Sequence, residues 1–221
     1  MKPRSMKPFS KASENNREPI VDVLVECFAE QQSVLEIGSG TGQHAVYFSR
    51  SLPHLIWQTS DRKQNHIGIN QWIDEFPANN VQRPLELDVE NKSNWDDLLA
   101  LQNKNPVDGV FTANTAHIMP WSSVEKMFAG VAKLFSMNRD KDSGVRGRFV
   151  LYGPFRQDGT FTSPGNADFH QHLQQNDSSM GIRDDRDVLD LASANALKLA
   201  ADIDMPANNR MLIFDFAGLT G

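Results

Sequence analysis

The stretch VLEIGSGTGQHAVYF, residues 34–48, joins a short apolar strand to a helix through a turn that contains three glycines. Gly38, Gly40 and Gly42 can adopt backbone conformations that are closed to other residues, and they let a ligand approach the main chain. A strand, a glycine-rich turn and a helix in this order are typical of the first βα unit of a doubly wound sheet. The turn is therefore the first candidate for a ligand site.

The rest of the chain alternates between helical and extended patterns. Helices are predicted at residues 15–30, 42–52, 65–76, 93–102, 122–135 and 187–197, and strands at 33–40, 55–61, 81–89, 107–114, 147–155, 198–205 and 210–218. Pro19 is expected in the first turn of the first helix, and serine caps are expected at Ser93 and at Ser122 or Ser123. Strands separated by helices predict an α/β, doubly wound, mostly parallel sheet. We expect a single domain over residues 1–221, with an N-terminal arm at 1–16 and a lid over the active edge at 156–184.

Charge and composition argue against several classes of protein. The chain has 221 residues and a net charge of −6, whereas nucleic-acid binding usually rests on a basic face. Cys27 is the only cysteine, so a disulfide framework and a cysteine-rich metal site are excluded. The histidines are scattered, with only His170 and His172 as near neighbours, and we expect no metal. We also expect no membrane span and no secretion signal behind the basic start MKPRSMKPFS, and hence a cytoplasmic protein.

Two common ligands fit the glycine turn poorly. A loop that binds a nucleoside triphosphate needs Lys followed by Ser or Thr after the last glycine, but Gln43 and His44 follow Gly42. The dinucleotide pattern is G-x-G-x-x-G, and here the third glycine comes one residue earlier. The first observation disfavours a nucleoside triphosphate and the second, together with Glu36, disfavours a nicotinamide oxidoreductase, which leaves other adenosine-bearing cofactors.

Acidic residues come at the ends of the first three predicted strands. Asp61 can accept hydrogen bonds from both ribose hydroxyls of an adenosine, and Asp88 can accept one from the adenine amino group. Glu36 precedes the glycines, where its negative charge suits a sulfonium and repels a pyrophosphate. The three acids together favour S-adenosylmethionine as the cofactor.

The motifs LEIGSGTG, SD and LDV resemble the first three motifs of class I S-adenosylmethionine-dependent methyltransferases. The wider set resembles the family catalogued as domain of unknown function 938, of the methyltransferase-like protein 26 type: KPFSKASENNREPI, GSGTGQHAVYFSRSLPHLIWQTSD, ANTAHIMPW, LYGPF, DGTFTSPGNADF, MGIRD and DMPANNR. The resemblance implies a seven-stranded sheet with an antiparallel last strand and a bound S-adenosylmethionine, and it names no methyl acceptor. It departs at residues 136–147, where the family has a short glycine turn. The candidate cofactor-binding residues are Glu36, Gly38, Ser39, Gly40, Gly42, Asp61, Asp88, Val89 and Asn114.

Methyl transfer from a sulfonium needs alignment, exclusion of water and removal of any proton on the acceptor. Asn114 and His117 follow the fourth strand in TANTAHIMPW, and Tyr152 ends the fifth in LYGPF, so these three are the candidate catalytic residues. His117 is either a general base or a residue that fixes its loop by hydrogen bonding. The segment lacks the Asn/Asp-Pro-Pro-Tyr/Phe motif of enzymes that methylate base amino groups or glutamine amides.

Six further residues are candidates for contact with the methyl acceptor or for the lid, and each has a structural alternative. Aromatic residues can cover the cofactor or belong to the core, and an arginine in the lid can hold an acceptor carboxylate or pair with Asp184 or Asp185. Two Asn-Asn-Arg triplets can face the cofactor or serve as caps and turns. The candidates are Asn16, Arg17, Trp121, Phe155, Arg183 and Asn208.

The sequence thus predicts an S-adenosylmethionine-dependent methyltransferase with a small-molecule acceptor. The alternative is a protein that binds the cofactor without turnover, as a sensor or scaffold on the same fold. A histidine and aromatic residues near the predicted site favour the enzyme.

Overall fold

The computed structural model describes residues 6–102, 106–137 and 147–218. Its strands are β1 (Ser33–Ile37), β2 (Ile56–Asp61), β3 (Val81–Glu86), β4 (Gly109–Ala113), β5 (Arg148–Gly153), β6 (Phe155–Gln157), β7 (Thr160–Phe161), β8 (Arg183–Asp184), β9 (Leu197–Met205) and β10 (Asn209–Phe216). Seven of them form one sheet in the order β3-β2-β1-β4-β5-β10-β9. The pairs among β1 to β5 are parallel, whereas β10 runs antiparallel to both of its neighbours. The predicted fold class is confirmed, including the antiparallel last strand.

Helices cover both faces of the sheet: α1 (Lys11–Cys27), α2 (Gln43–Ser51), α3 (His66–Glu75), α4 (Lys92–Leu101), α5 (Trp121–Met137), α6 (Pro164–Asn176) and α7 (Asp185–Ala194). One core cluster lies between the sheet and α4, α5 and α7, and a second lies between the sheet and α1, α2 and α3. The alternation of short apolar strands with amphipathic helices produces these three layers, because each helix buries its apolar stripe on the sheet. None of the helices within the described ranges is long and apolar enough to cross a membrane.

Three predicted helix starts are wrong. Helix α1 begins at Lys11, because the hydroxyl of Ser10 accepts a hydrogen bond from the Ser13 amide and caps the helix there. Pro19 therefore lies inside α1, and residues 11–16 of the predicted arm are helical. Asn91, rather than Ser93, caps α4, and Ser122 and Ser123 both lie inside α5.

The region after β5 is more regular than a lid loop. Strands β6, β7 and β8 form a small second sheet in the order β7-β6-β8, and α6 lies in sequence between β7 and β8. Residues 138–146, which make up most of the inserted stretch 136–147, lie outside the described residues. Strand β3 ends at Glu86, so Asp88 is in the following loop rather than at the strand end.

Candidate functional site

A cleft of about 980 Å³ runs along the carboxyl edge of the parallel strands. Its walls come from the β1–α2 turn, the loops after β2, β3, β4 and β5, the β9–β10 turn, and helices α1 and α6. Ligands of doubly wound sheets bind at this edge, where the strand order reverses on either side of β1. The sheet order therefore places the cleft at the position expected for a ligand site.

The three glycines of the β1–α2 turn have different roles. All three have positive φ, with values of 75° at Gly38, 57° at Gly40 and 91° at Gly42. A Cβ on Gly38 would lie 2.7 Å from Cγ2 of Thr115, and a Cβ on Gly42 would lie 2.9 Å from Cα of Ile69. At Gly40, the nearest atom to such a Cβ would be the Gly38 carbonyl oxygen at 4.0 Å. Gly38 and Gly42 thus permit close packing of the protein, whereas Gly40 borders the open cleft.

Asp61 holds the turn from the end of β2. One of its carboxylate oxygens accepts from the Gly40 amide at 2.7 Å, and the other accepts from the Arg62 amide at 2.7 Å and from Nδ2 of Asn65 at 2.8 Å. A carboxylate has about four acceptor positions. Asp61 lines the cleft, so its remaining acceptor capacity is available to a ligand hydroxyl.

Glu36 lies behind the glycine turn and does not line the cleft. Its carboxyl group accepts from the Ser39 hydroxyl at 2.8 Å and from the indole nitrogen of Trp57 at 3.2 Å. Burial is the main cause that raises its pKa to about 7, against hydrogen bonds from Ser39 and Trp57 that lower it. We predicted a direct contact between Glu36 and a positively charged ligand. In the structure, Glu36 instead supports the glycine turn through its hydrogen bond with Ser39.

The loop after β3 forms the other end of the cleft. Asp88 accepts from the Glu90 amide at 3.0 Å, while its own amide donates to Oδ1 of Asn94 at 3.0 Å. Leu87 and Val89 line the cleft on either side of Asp88. This end combines one carboxylate with two apolar side chains, which suits a flat heterocycle that carries an amino group.

The end of β4 brings Asn114 and His117 into the cleft. Asn114 has φ of 58°, and its amide donates to the Tyr152 carbonyl at 2.9 Å. The His117 ring is buried, and its centroid is 5.3 Å from that of Phe169 in an edge-to-face contact. Burial and, secondarily, the Arg183 guanidinium lower the pKa of His117 to about 4. The imidazole is therefore neutral near pH 7, with one ring nitrogen that can act as an acceptor.

A cluster of side chains from three elements joins α1 to the cleft. Nε2 of His44 on α2 donates to Oδ1 of Asn16 on α1 at 2.8 Å, and Asn16 also hydrogen-bonds the Tyr152 hydroxyl on β5. Burial lowers the pKa of His44 to about 4 and raises that of Tyr152. All three residues line the cleft, so the N-terminal helix forms one of its walls.

Five of the six predicted acceptor or lid residues do not line the cleft, and four of them make other contacts as follows. Arg17 pairs with Glu14 at 2.7 Å, and its guanidinium carbon is 4.7 Å from the Tyr47 ring centroid. Phe155 is buried in the core, and Trp121 packs against that same core, because each follows the apolar pattern of its own element. Asn208 turns its carbonyl toward Nδ2 of Asn166 at 3.1 Å.

Arg183 joins two loops and does not line the cleft. Its Nε donates to the Ala116 carbonyl at 3.0 Å, and its Nη2 donates to the carbonyls of Ser179, at 2.9 Å, and Met119. Neither predicted role, holding an acceptor carboxylate or pairing with Asp184 or Asp185, matches these contacts. Arg183 instead fixes the backbone around His117.

Several cleft residues were missed by sequence reasoning. They come from α1, from the β1–α2 turn and from α6 with its following loop, and they include Ser13, Thr41, His44, Asn166, Phe169 and Met180. The predicted antiparallel last strand was a usable signal for the β9–β10 turn, and Pro206, Ala207 and Asn209 of that turn do line the cleft. His44 gave none, since its contact with Asn16 depends on how α1 packs against α2.

Within the described ranges, no group of three His, Cys, Asp or Glu residues has a geometry that could hold a metal ion. The charged side chains that line the cleft are Asp61, Arg62, Asp88, Glu90 and Asp177. The cleft is therefore acidic, which suits a ligand with positive character.

Several solved structures share this fold. An O-methyltransferase family protein from Burkholderia thailandensis has a TM-score of 0.73 at 17% identity over 92% of this chain and 57% of its own. An O-methyltransferase family 2 protein from Planctomyces limnophilus in complex with apigenin has a TM-score of 0.70 at 14% identity over 93% and 57%. PigF with SAH has a TM-score of 0.70 at 11% identity over 91% and 56%. The chain thus spans little more than half the length of these proteins, and at these identities the likeness concerns the fold.

The sequence comparison is more specific. A model of the family described as "Protein of unknown function (DUF938)" matches residues 7–215. That range includes the glycine turn, strands β1 to β9, β10 up to Asp215, and every described residue that lines the cleft. The protein therefore belongs to the DUF938 family.

Proposed function

We propose that the protein is an S-adenosylmethionine-dependent methyltransferase that acts on a small-molecule acceptor. The observation that carries the proposal is the position of Gly40, which borders one continuous cleft whose walls also include Asp61 and Asp88. The shared fold supports it, since one similar structure is PigF with SAH and another is in complex with apigenin. The more specific resemblance to methyltransferase-like protein 26 is part of this proposal.

The residues of the cleft fit the cofactor group by group. Asp61 would accept from a ribose hydroxyl, and Asp88 would accept from the adenine amino group between the apolar side chains of Leu87 and Val89. The backbone at Gly38, Ser39 and Gly40 would lie against the remainder of the cofactor. S-adenosylmethionine, when bound, supplies a methyl group already activated by its sulfonium. Glu36 would act through Ser39, and Gly42 through its packing on α3.

The chain's own residues would then position the methyl acceptor and handle its proton. Asn114 and Tyr152 border the middle of the cleft, where they would orient the acceptor beside the methionine end of the cofactor. His117 is neutral and would take the proton of the reacting group. We propose that α6 and the rest of residues 156–184 cover this region and exclude water, and that α1 closes the opposite wall through Asn16.

Calorimetric titration with S-adenosylmethionine and with S-adenosylhomocysteine tests the cofactor. The sharpest variant is Gly40→Ala, which adds a methyl group at the wall of the cleft. We expect its affinity for both ligands to fall at least about tenfold, a loss of about 1.4 kcal/mol. Asp61→Ala is less informative, because it also removes the hydrogen bond to the Gly40 amide.

Gly159→Ala is the matched control for strain. Gly159 has φ of 78°, nothing lies within 4 Å of a Cβ placed there, and it does not line the cleft. The Gly159→Ala variant therefore has a similar backbone strain, because alanine must also adopt a positive φ there, but its added methyl group lies outside the proposed site. Equal affinity of the wild type and Gly40→Ala, or no binding of either ligand by the wild type, would contradict the proposed function.

A further inference from the structure

We propose that the methyl acceptor is an uncharged aromatic compound that presents a hydroxyl group and lies against Phe169 on α6. This inference rests on the proposed function and names the substrate class of the same cleft. It concerns the distal half of the cleft, defined as the part beyond Asn114 that is lined by residues after β4 and β5, on α6 and its following loop, and in the β9–β10 turn. Its lining includes His117, Ile118, Asn166, Phe169, Asp177 and Met180.

The distal half is distinct from the part that fits the cofactor. Gly40, Asp61 and Asp88 line the cleft along β1, β2 and β3, on one side of Asn114. Strands β5 and β10 lie on the other side of β4 in the sheet. A cofactor placed on the first group leaves the distal half for a second molecule.

Large apolar side chains are exposed there. Phe169 is 38% exposed and Ile118 is 47% exposed, although both are large hydrophobic residues. Met119, Met180 and Pro154 add further apolar surface. The Phe169 ring meets the His117 ring edge-to-face at a centroid distance of 5.3 Å. Aromatic and thioether groups of this kind pack well against a flat ring.

The charges of the cleft disfavour an anionic acceptor. Among the cleft-lining residues that the structure describes, Arg62 is the only lysine or arginine, and it follows β2 on the cofactor side. The nearby Arg183 already donates to three backbone carbonyls. Asp177 is the only charged residue of the distal half and is an acid. A carboxylate or phosphate would therefore be desolvated there without a cation to balance it.

The polar groups of the distal half call for a ligand that donates a hydrogen bond. Nδ2 of Asn166 donates to the Thr162 hydroxyl at 2.8 Å and to the Asn208 carbonyl at 3.1 Å. Asn166 can therefore offer a ligand only its carbonyl oxygen, which accepts. The neutral His117 ring has a nitrogen lone pair that can also accept. A hydroxyl group satisfies either partner, and a hydroxyl on an aromatic ring matches the apolar surface.

The reaction balances without a further reagent. A lone pair of the acceptor oxygen forms the new bond to the methyl carbon while the carbon–sulfur bond breaks, and its electron pair stays on sulfur. The hydroxyl proton passes to His117 and then to solvent. The products are a methyl ether and S-adenosylhomocysteine.

Two naphthalene probes of similar shape test the inference. Protein saturated with S-adenosylhomocysteine is titrated calorimetrically at pH 7.5 with 2-naphthol, which is neutral, and with 2-naphthoate, which is anionic. We expect 2-naphthol to bind at least about tenfold more tightly than 2-naphthoate, because the distal half lacks a cation for the carboxylate. Equal affinities, a preference for 2-naphthoate, or no binding of either probe would overturn the inference.

Variants test where 2-naphthol binds, and they distinguish a failure of this inference from a failure of the proposed function. Phe169→Ala should weaken 2-naphthol at least about tenfold and leave the affinity for S-adenosylhomocysteine unchanged. Leu199→Ala is the matched control, since Leu199 is 36% exposed on β9 and does not line the cleft. An unchanged 2-naphthol affinity in Phe169→Ala would also overturn the inference. Failure to bind S-adenosylhomocysteine would instead overturn the proposed function.

Discussion

Glu36 shows how a buried acid can support a binding turn without touching the ligand. The residue is 2% exposed, and its carboxyl group accepts from Ser39 and Trp57. Burial in an apolar environment favours the neutral form, which is why its pKa rises from an ordinary 4.5 to about 7. The folded protein therefore keeps a proton that the unfolded chain loses at lower pH.

This pKa predicts how stability depends on pH. Between pH 4.5 and about 7, the folded state binds a proton at Glu36 that the unfolded state has released. The contribution of Glu36 to the free energy of unfolding is therefore complete below pH 4.5 and is lost as the pH rises through about 7. At about 1.4 kcal/mol for each pH unit, the loss is on the order of 3 kcal/mol. Glu36→Gln should thus become more stable relative to the wild type as the pH rises.

Urea unfolding of both proteins at pH 5 and pH 8 measures the effect. Glutamine can still accept from Ser39 and Trp57 through its carbonyl oxygen, so the local hydrogen bonds are retained. Glu125→Gln serves as the control, because Glu125 is exposed on α5. A stability difference between Glu36→Gln and the wild type that does not change with pH would show that Glu36 is ionised in the folded protein.

At the scale of the elements, Arg183 links the segment that contains α6 to the loop after β4. Arg183 donates to carbonyls on both sides, at Ala116 and Met119 in that loop and at Ser179 in its own segment. The Gly181 amide adds a hydrogen bond to the His117 carbonyl at 2.9 Å. These contacts place the segment beside His117 and Phe169.

Replacing Arg183 should loosen this attachment. Arg183→Gln removes donors from three backbone carbonyls, and we expect the free energy of unfolding to fall by about 2–4 kcal/mol. Hydrogen exchange should speed up at the Gly181 amide. The pKa of His117 should rise, because the Arg183 cation contributes to lowering it. Both changes are measurable by NMR.

The exposed Arg186 provides the control for this variant. It pairs with Asp158 with its side chain 72% exposed, so Arg186→Gln should change stability by less than about 1 kcal/mol. If Arg183→Gln and Arg186→Gln had the same small effect, the attachment would rest on the backbone contacts alone.

At the scale of the whole molecule, the order of the strands in the sheet determines which of them contribute to the central core. Strand β10 lies between β5 and β9, and its Phe214 is fully buried. The Phe214 ring is 6.1 Å from the centroids of both Phe128 and Phe149, so one side chain joins the sheet to α5. This places part of the central core in the last described strand.

Truncation of that side chain should therefore be costly. Phe214→Ala is expected to reduce the free energy of unfolding by about 3–5 kcal/mol, through lost burial and the cavity that remains. Phe9→Ala, at a side chain that is 62% exposed, should have little effect. Urea unfolding followed by circular dichroism distinguishes the two. A loss below about 1 kcal/mol in Phe214→Ala would mean that the core refills the cavity.

The fold followed from local patterns, whereas much of the site did not. Local patterns predicted each strand of the main sheet. Burial on both faces leaves a distinct apolar run in central strands such as β1, β4 and β5, whereas the edge strands β3 and β9 are only partly buried. The contact between Asn16 and His44 joins helices whose packing no local pattern encodes. The directions of Arg17 and Arg183 were also unpredictable, since a long side chain takes whichever partners the surrounding loops offer.

The position of β10 also has a consequence for synthesis on the ribosome. A nascent chain that ends before residue 209 holds β1 to β5 and β9, but it lacks the strand that joins β5 to β9. It therefore exposes two unpaired strand edges, which are sites for pairing with other chains. Growth of the chain from the amino end cannot complete this sheet stepwise, so the strand made last must insert between two that are already made. Chaperones that bind extended apolar segments should hold such chains until residues 209–216 emerge.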